Sequence, residues 1–282
     1  MLFTALLVAC SMSAARAAPA IHTFPADFAV VMIDDTTEKK LGPFPYDRAK
    51  MAAAVDACGR LHAKAVVLKF FFDQAKSSDG DAALARAMGE VPVAIQACLN
   101  SDDGLPQDLP ARFEFEDVGA RAKVRGVRGW IPLPALMEAA SRVGFVDFNS
   151  PDIPLVERYR GAPYESLVLC CLELATGTRA SSPKKGRIEI GEGFLPVDPL
   201  NVYRATPDGS EAYGTISFAN LLEGSVDEGE IRGRVVIIGM DTAKMPTLTT
   251  PAGAVGIHRY FVQCLASAYR DLVANRMAPS EQ

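Results

Sequence analysis

The stretch Lys64–Gln96, KAVVLKFFFDQAKSSDGDAALARAMGEVPVAIQ, decides the fold class. Its first run, Lys64–Phe71, is β-branched and aromatic, and its last, Val91–Gln96, is a second short apolar run. Between them Asp79–Met88 opens on acidic residues and continues in alanine and leucine, the make-up of a short helix. Near-continuous apolar runs imply strands buried on both faces, and strand–helix–strand in this form is a parallel βαβ unit.

The same pattern extends in both directions. Phe28–Ile33 (FAVVMI), Val143–Phe148 (VGFVDF) and Arg234–Gly239 (RVVIIG) are further strand candidates. Asp47–His62 has apolar residues at helical spacing behind Asp47 as an N-cap, and Leu133–Arg142 follows prolines that set a helix start. Ser166–Thr176 ends at Gly177, a C-cap, and Gly256–Arg276 is the last and longest helical stretch. The alternation predicts an α/β fold with a mostly parallel, partly mixed central sheet flanked by helices. In the middle, Phe113–Val118 and Arg121–Val127 flank Gly119-Ala120 and read as a hairpin, with Glu116 opposite Lys123 and Glu114 opposite Arg125. Short strand candidates recur over Arg187–Ser217, broken by Pro196, Pro199 and Pro207. No repeat or long linker divides the chain, so one elaborated domain over residues 24–276 is expected.

The 282 residues are 49% hydrophobic and 22% charged, with mean hydropathy +0.11, which excludes disordered and low-complexity classes. A net charge of −5 argues against a general nucleic-acid binder. Residues 1–17 read as a signal peptide: an apolar stretch over Met1–Met12, then the small-x-small site Ala15-Arg16-Ala17, with cleavage near Ala17. Leu7-Val8-Ala9-Cys10 also resembles a lipobox, which would attach lipid at Cys10. No later run approaches the roughly 20 apolar residues that span a bilayer. The expectation is a periplasmic or secreted chain, soluble or tethered only by lipid. Beyond the leader lie Cys58, Cys98, Cys170, Cys171 and Cys264, an odd set that leaves at least one thiol unpaired.

Ligands of open α/β sheets gather at the carboxyl ends of the strands. Here those ends carry Asp34-Asp35, Lys69 with Asp73, Gln96, Asp147 with Asn149, and Asp241-Thr242. They read either as a small-molecule pocket centred on Lys69 and the Asp34/Asp35 pair, or as caps and turn formers where loops leave the sheet. Enzyme signatures are absent: His22, His62 and His258 lack metal spacing, and no nucleophile elbow, P-loop or dinucleotide fingerprint follows a strand. Neither a metal nor another cofactor is expected.

The order of segments resembles a known family. Phe28–Asp35 (FAVVMIDD) followed by Leu41–Arg48 (LGPFPYDR) is similar to the opening of the CHASE type 2 domain. Ala63–Val67 and Asp79–Met88 resemble its second strand and its acidic-then-alanine helix. Val143–Val146, Asp152 and Val156-Glu157-Arg158 match its middle, with Ser166-Leu167 opening a helix in the expected place. Ser217–Gly224, Gly233–Gly239, Thr250-Pro251 and Gly256-Ile257-His258 match its end. The resemblance runs from Phe24 to Ala274 and departs from the family pattern at Lys69, where an Asp is common, and at Tyr46-Asp47 before Arg48.

The resemblance implies an extracytoplasmic sensory module, of the kind carried by bacterial cyclases and histidine kinases, without catalysis of its own. Such modules usually continue into membrane helices and an output domain. None is read here, so action through a membrane receptor or signalling protein, or simple binding of a small molecule, is expected. Asp34, Asp35, Arg48, Lys69 and His258 are the candidate ligand residues, chosen by position. The competing expectations are an exported hydrolase using Asp34 or Asp35 with Lys69 or His258, and a protein-interaction subunit with an exposed apolar patch.

Overall fold

A computed structural model describes residues 23–116, 122–148, 150–207, 213–250 and 253–276. The central sheet is built from β1 (Phe28–Ile33), β2 (Ala65–Leu68), β3 (Val93–Ala97), β4 (Arg142–Phe145), β5 (Thr215–Ser217) and β6 (Val235–Met240). Its order is β5-β1-β6-β2-β3-β4, and every neighbouring pair is parallel. The predicted α/β class therefore holds. The antiparallel part of the expected mixture lies outside this sheet, in small ribbons such as Arg187–Ile190 with Gly193–Pro196.

Alternation along the strands builds two cores. In β1, Ala29, Val31 and Ile33 enter one cluster while Phe28, Val30 and Met32 enter the other. The first cluster lies under the helices α2 (Arg48–Arg60), α3 (Ser78–Met88), α4 (Pro134–Ala139) and α6 (Phe218–Glu223). The second lies under α5 (Leu167–Thr176) and α7 (Ile257–Ala274), with Ile153, Ile188, Leu195 and Tyr203 of the small ribbons. The short α1 (Asp35–Leu41) leaves the end of β1.

The predicted caps at Asp47 and Gly177 are present, and Ser166 adds another. Asp47 accepts from Ala49 N–H at 2.7 Å, Ser166 Oγ from Leu169 N–H at 3.2 Å, and Gly177 ends α5 in the left-handed region at φ 76°. Gly144 in β4 is required by close approach: a Cβ there would lie 2.5 Å from the Leu167 Cα. A buried ion cluster also locks α5 in place. Glu173 bonds Arg142 and Arg179, each at 3.0 Å, and accepts from Ala180 N–H at 2.7 Å. Glu165 adds a contact to Arg179 at 3.1 Å.

The hairpin expected over Phe113–Val127 does not form. Its arms are separated by another hairpin, Val156–Tyr159 with Ala162–Glu165, which turns at Arg160 and Gly161, both at positive φ. The strand Lys123–Gly126 pairs parallel with Val156–Tyr159, whereas Glu114 bridges to Tyr164 on the opposite edge. The physical reason is burial: Ala111–Phe113 coils into a 3-10 turn, and Phe113 and Phe115 are sunk in the two different cores. Residues 117–121, where the expected turn falls, lie outside the described residues, as do the leader, Cys10 and Asn149. Cys58, Cys98, Cys170, Cys171 and Cys264 are free thiols. Among the described residues no helix is long and apolar enough to cross a membrane.

Candidate ligand-binding site

The parallel strands end together, and at that edge lies a cavity of about 500 Å³. Strand alternation decides what reaches it. Lys69 directly follows β2, and its N–H still donates to the Ile238 carbonyl at 2.9 Å, so it keeps strand geometry. Its side chain therefore shares the face of Ala65 and Val67, the face that α5 and α7 cover. Gln96, on β3, shares the face of Ala94 and stands beside Lys69, because Leu68 pairs with Ile95. Both side chains are buried on that face.

The remaining polar member comes from α7 itself. His258 is its second residue and fits above Gly239 of β6, where a Cβ would come within 3.4 Å of the imidazole Nδ1. Met240 N–H donates to that Nδ1 at 2.9 Å. A backbone N–H can only donate, so Nδ1 must accept, and the neutral ring carries its proton on Nε2. The walls are largely aromatic: Phe44, Phe70, Phe71, Phe148, Tyr260 and Phe261 line the cavity, with Met245 and Leu248 from the segment after β6.

The electrostatics follow from burial without counter-charge. Burial pushes the Lys69 ammonium down to about 7, with the Cys171 thiol opposing weakly. Nζ donates to Gln96 Oε1 at 2.9 Å and sits 5.0 Å over the Phe261 ring. A lysine donates only, so the facing Gln96 atom is its amide oxygen, and the amide nitrogen is left to donate elsewhere. Burial, and then the Lys69 charge, hold His258 well below the ordinary histidine range. Among the described residues, none lining the cavity is acidic.

Lys69 and His258 thus share this cavity, and the other three candidate residues stand elsewhere. Asp34 caps α1, accepting at one oxygen from Thr37 N–H at 2.8 Å, Thr37 Oγ1 at 2.7 Å and Ser217 Oγ at 2.9 Å. Burial acts to raise its pKa, and these hydrogen bonds together outweigh burial and lower it. Asp35 is exposed on the first turn of α1. Neither carboxylate lines the cavity, so the acid–base pairing of Asp34 or Asp35 with Lys69 or His258 is not assembled there. Arg48 lines an adjoining cleft of about 230 Å³ that shares Phe44, Phe70 and Phe71 with the cavity. Its guanidinium donates to the Gln74 carbonyl at 2.6 Å, lies 3.3 Å from Asp81 and stacks 4.6 Å over Phe72.

The other carboxylates at the strand ends are also committed locally. Asp147 accepts from Leu99 N–H at 2.7 Å and from the Cys98 thiol at 2.9 Å, and Asp241 pairs with Arg259 of α7. What sequence reasoning missed is the aromatic wall. The run Phe70-Phe71-Phe72 immediately after Lys69 was the available signal: apolar side chains persist where a strand should give way to a polar loop.

A family model for the CHASE2 domain matches residues 7–281, nearly the whole chain. The chain belongs to the CHASE2 domain family. This is a family of extracytoplasmic sensory domains, and the resemblance read from the segment order holds over its full extent. No curated protein and no solved structure shows a significant match. In this CHASE2 domain, then, the strand ends carry a largely aromatic cavity with a buried lysine.

Proposed function

We propose that this CHASE2 domain is a periplasmic sensory module that binds a small molecule in the cavity at the strand ends and performs no chemistry on it. One observation carries the reading: a concave, mostly apolar space of about 500 Å³ into which a few polar groups converge, at the edge where open α/β sheets take ligands. Lys69, Gln96 and His258 orient the ligand, and the aromatic walls supply burial. Arg48 acts from the neighbouring cleft by fixing Phe72 and the segment after β2. Export follows from the leader at residues 1–17, with cleavage near Ala17. A ligand that favours one arrangement of the segment carrying Met245 and Leu248 can pass a signal to a partner that contacts it, a membrane receptor or signalling protein.

Thermal unfolding of the purified chain against amino acids, dicarboxylates, nucleotides, sugars and cell-wall fragments tests this. Dose-dependent stabilisation that Lys69→Met removes, with the variant folded, is the expected result. A well-folded chain that no compound stabilises overturns the small-molecule reading.

A further inference from the structure

The hydrogen-bonding groups that reach the cavity share one sense. As an ammonium, Lys69 Nζ can only donate, and the hydrogen-bond partner it has among the described residues, Gln96 Oε1, is neutral. That contact occupies the amide oxygen of Gln96 and turns its NH₂ into a second donor. The Met240 N–H occupies Nδ1 of His258 and leaves Nε2–H as a third. No acceptor for either remaining donor is found among the described residues. The Tyr260 hydroxyl, also on the lining, can donate as well as accept.

A helix end adds to this field. α7 is an 18-residue helix whose N-cap, Gly256, offers no side-chain acceptor, and no acidic residue occupies its first turn. The Asp241 carboxylate near that end is already paired with Arg259. Ile257 and His258, the first two residues of α7, line the cavity, so the positive end of the helix dipole adjoins it. A buried ammonium without a counter-ion, two neutral donors and a helix amino end all favour the same complement, an anionic acceptor. The apolar, ring-lined remainder of the space fits a hydrocarbon body.

We propose that the cavity takes a carboxylate carrying an aromatic or alkyl body, its oxygens held by Lys69 Nζ, the Gln96 amide nitrogen and His258 Nε2–H beside the amino end of α7, its body against Phe44, Phe70 and Phe261. This rests on the reading of the cavity as the ligand site. It differs from a general ligand pocket in requiring the negative charge. It also assigns Lys69 the role of counter-ion to the ligand, so binding returns to that ammonium the partner that burial withheld.

Titration calorimetry of the full chain with phenylacetate and with hexanoate, each beside its neutral amide, separates the two layers. The acids are expected to bind at least about tenfold more tightly than phenylacetamide and hexanamide, the order expected for a charge-assisted hydrogen bond. Lys69→Met, which removes a buried charge and so should fold, is expected to abolish that preference and leave acid and amide alike. Gln96→Leu is expected to weaken the acids and leave the amides within a few-fold. Amides that bind as tightly as their acids overturn the carboxylate assignment and leave the small-molecule reading standing. Binding of neither acids nor amides to the folded chain overturns the assignment, while stabilisation by an uncharged member of the wider panel shows that the site reading survives it.

Discussion

The ammonium of Lys69 lies 2.9 Å from the amide oxygen of Gln96, its neighbour across the β2–β3 pairing, and among the described residues no carboxylate lines the space they share. An amide dipole satisfies one N–H of an ammonium and leaves its net charge uncompensated. Gln96 of β3, Cys171 of α5, and His258 and Phe261 of α7 are the groups that surround Lys69, and none is anionic at neutral pH. The fold therefore holds a charge that costs it stability, at the place where a ligand can relieve that cost.

The pH dependence of stability reads this cost. Lys69 titrates at about 7 in the fold, against about 10.4 in the unfolded chain. Between these values the unfolded state binds the extra proton, so this group's contribution to stability rises with pH, and below about 7 its penalty is fully present. Three pKa units correspond to about 4 kcal/mol. Urea unfolding of the native chain and of Lys69→Met from pH 6 to 8.5 is expected to show the variant more stable at pH 6, with the gap narrowing as pH rises. A gap that does not change with pH would contradict the depressed ammonium.

His258 should stay neutral where an ordinary histidine titrates. Its ring accepts from Met240 N–H, and protonating Nδ1 would break that bond as well as place a second positive charge beside Lys69. Nitrogen-15 spectra of the side chain are expected to report the Nε2–H tautomer, unchanged from pH 8 to pH 5.5. Because the folded pKa lies below the unfolded one, its contribution to stability falls as pH drops through about 6.5. An imidazole shift that titrates in that range would refute the assignment.

The ion cluster around α5 predicts an asymmetry between two buried carboxylates. Glu173 serves Arg142, Arg179 and the Ala180 N–H, so Glu173→Ala leaves that donor without its acceptor and both arginines with Glu165 alone, a loss of about 3–5 kcal/mol. Burial, then the Glu173 charge, raises Glu165 above the ordinary carboxylate range and so favours its protonated form, with Arg179 and Arg142 opposing. Glu165→Gln is expected to cost less than about 1 kcal/mol at pH 7, because an amide resembles a protonated acid. Chemical denaturation of both variants measures the difference, and equal losses would contradict it.

Gly144→Ala tests the seat of α5 on the sheet. The added methyl would lie 2.5 Å from Leu167 Cα and 2.6 Å from its backbone nitrogen, atoms that cannot move without shifting the helix start. A destabilisation on the order of 2–3 kcal/mol is expected, with the same fold by circular dichroism. Unchanged stability would mean that α5 sits farther from β4 than the structure places it.

Much of this protein was legible in its sequence. Phe28–Ile33 is a strand to the residue, four other apolar runs are strands within a few residues of the expected bounds, and Asp47 and Gly177 cap the helices they border. These features are local: a run of β-branched residues or a capping oxygen acts within a few positions of itself, so the chain states it directly.

Tertiary structure alone decided the rest. Thr215–Ser217 is too short to declare itself a strand and becomes the sheet edge by pairing with β1. Phe113 and Phe115 abandon the expected hairpin because burial in two cores outweighs the cross-strand charge pairs an exposed ribbon would offer. At the strand ends the sequence pointed to a pocket centred on Lys69 and the Asp34/Asp35 pair. Strand order and the docking of α7 bring Lys69, Gln96 and His258 together and leave Asp34 a cap, because contact between residues far apart in the chain depends on how the elements stack, which no local pattern encodes.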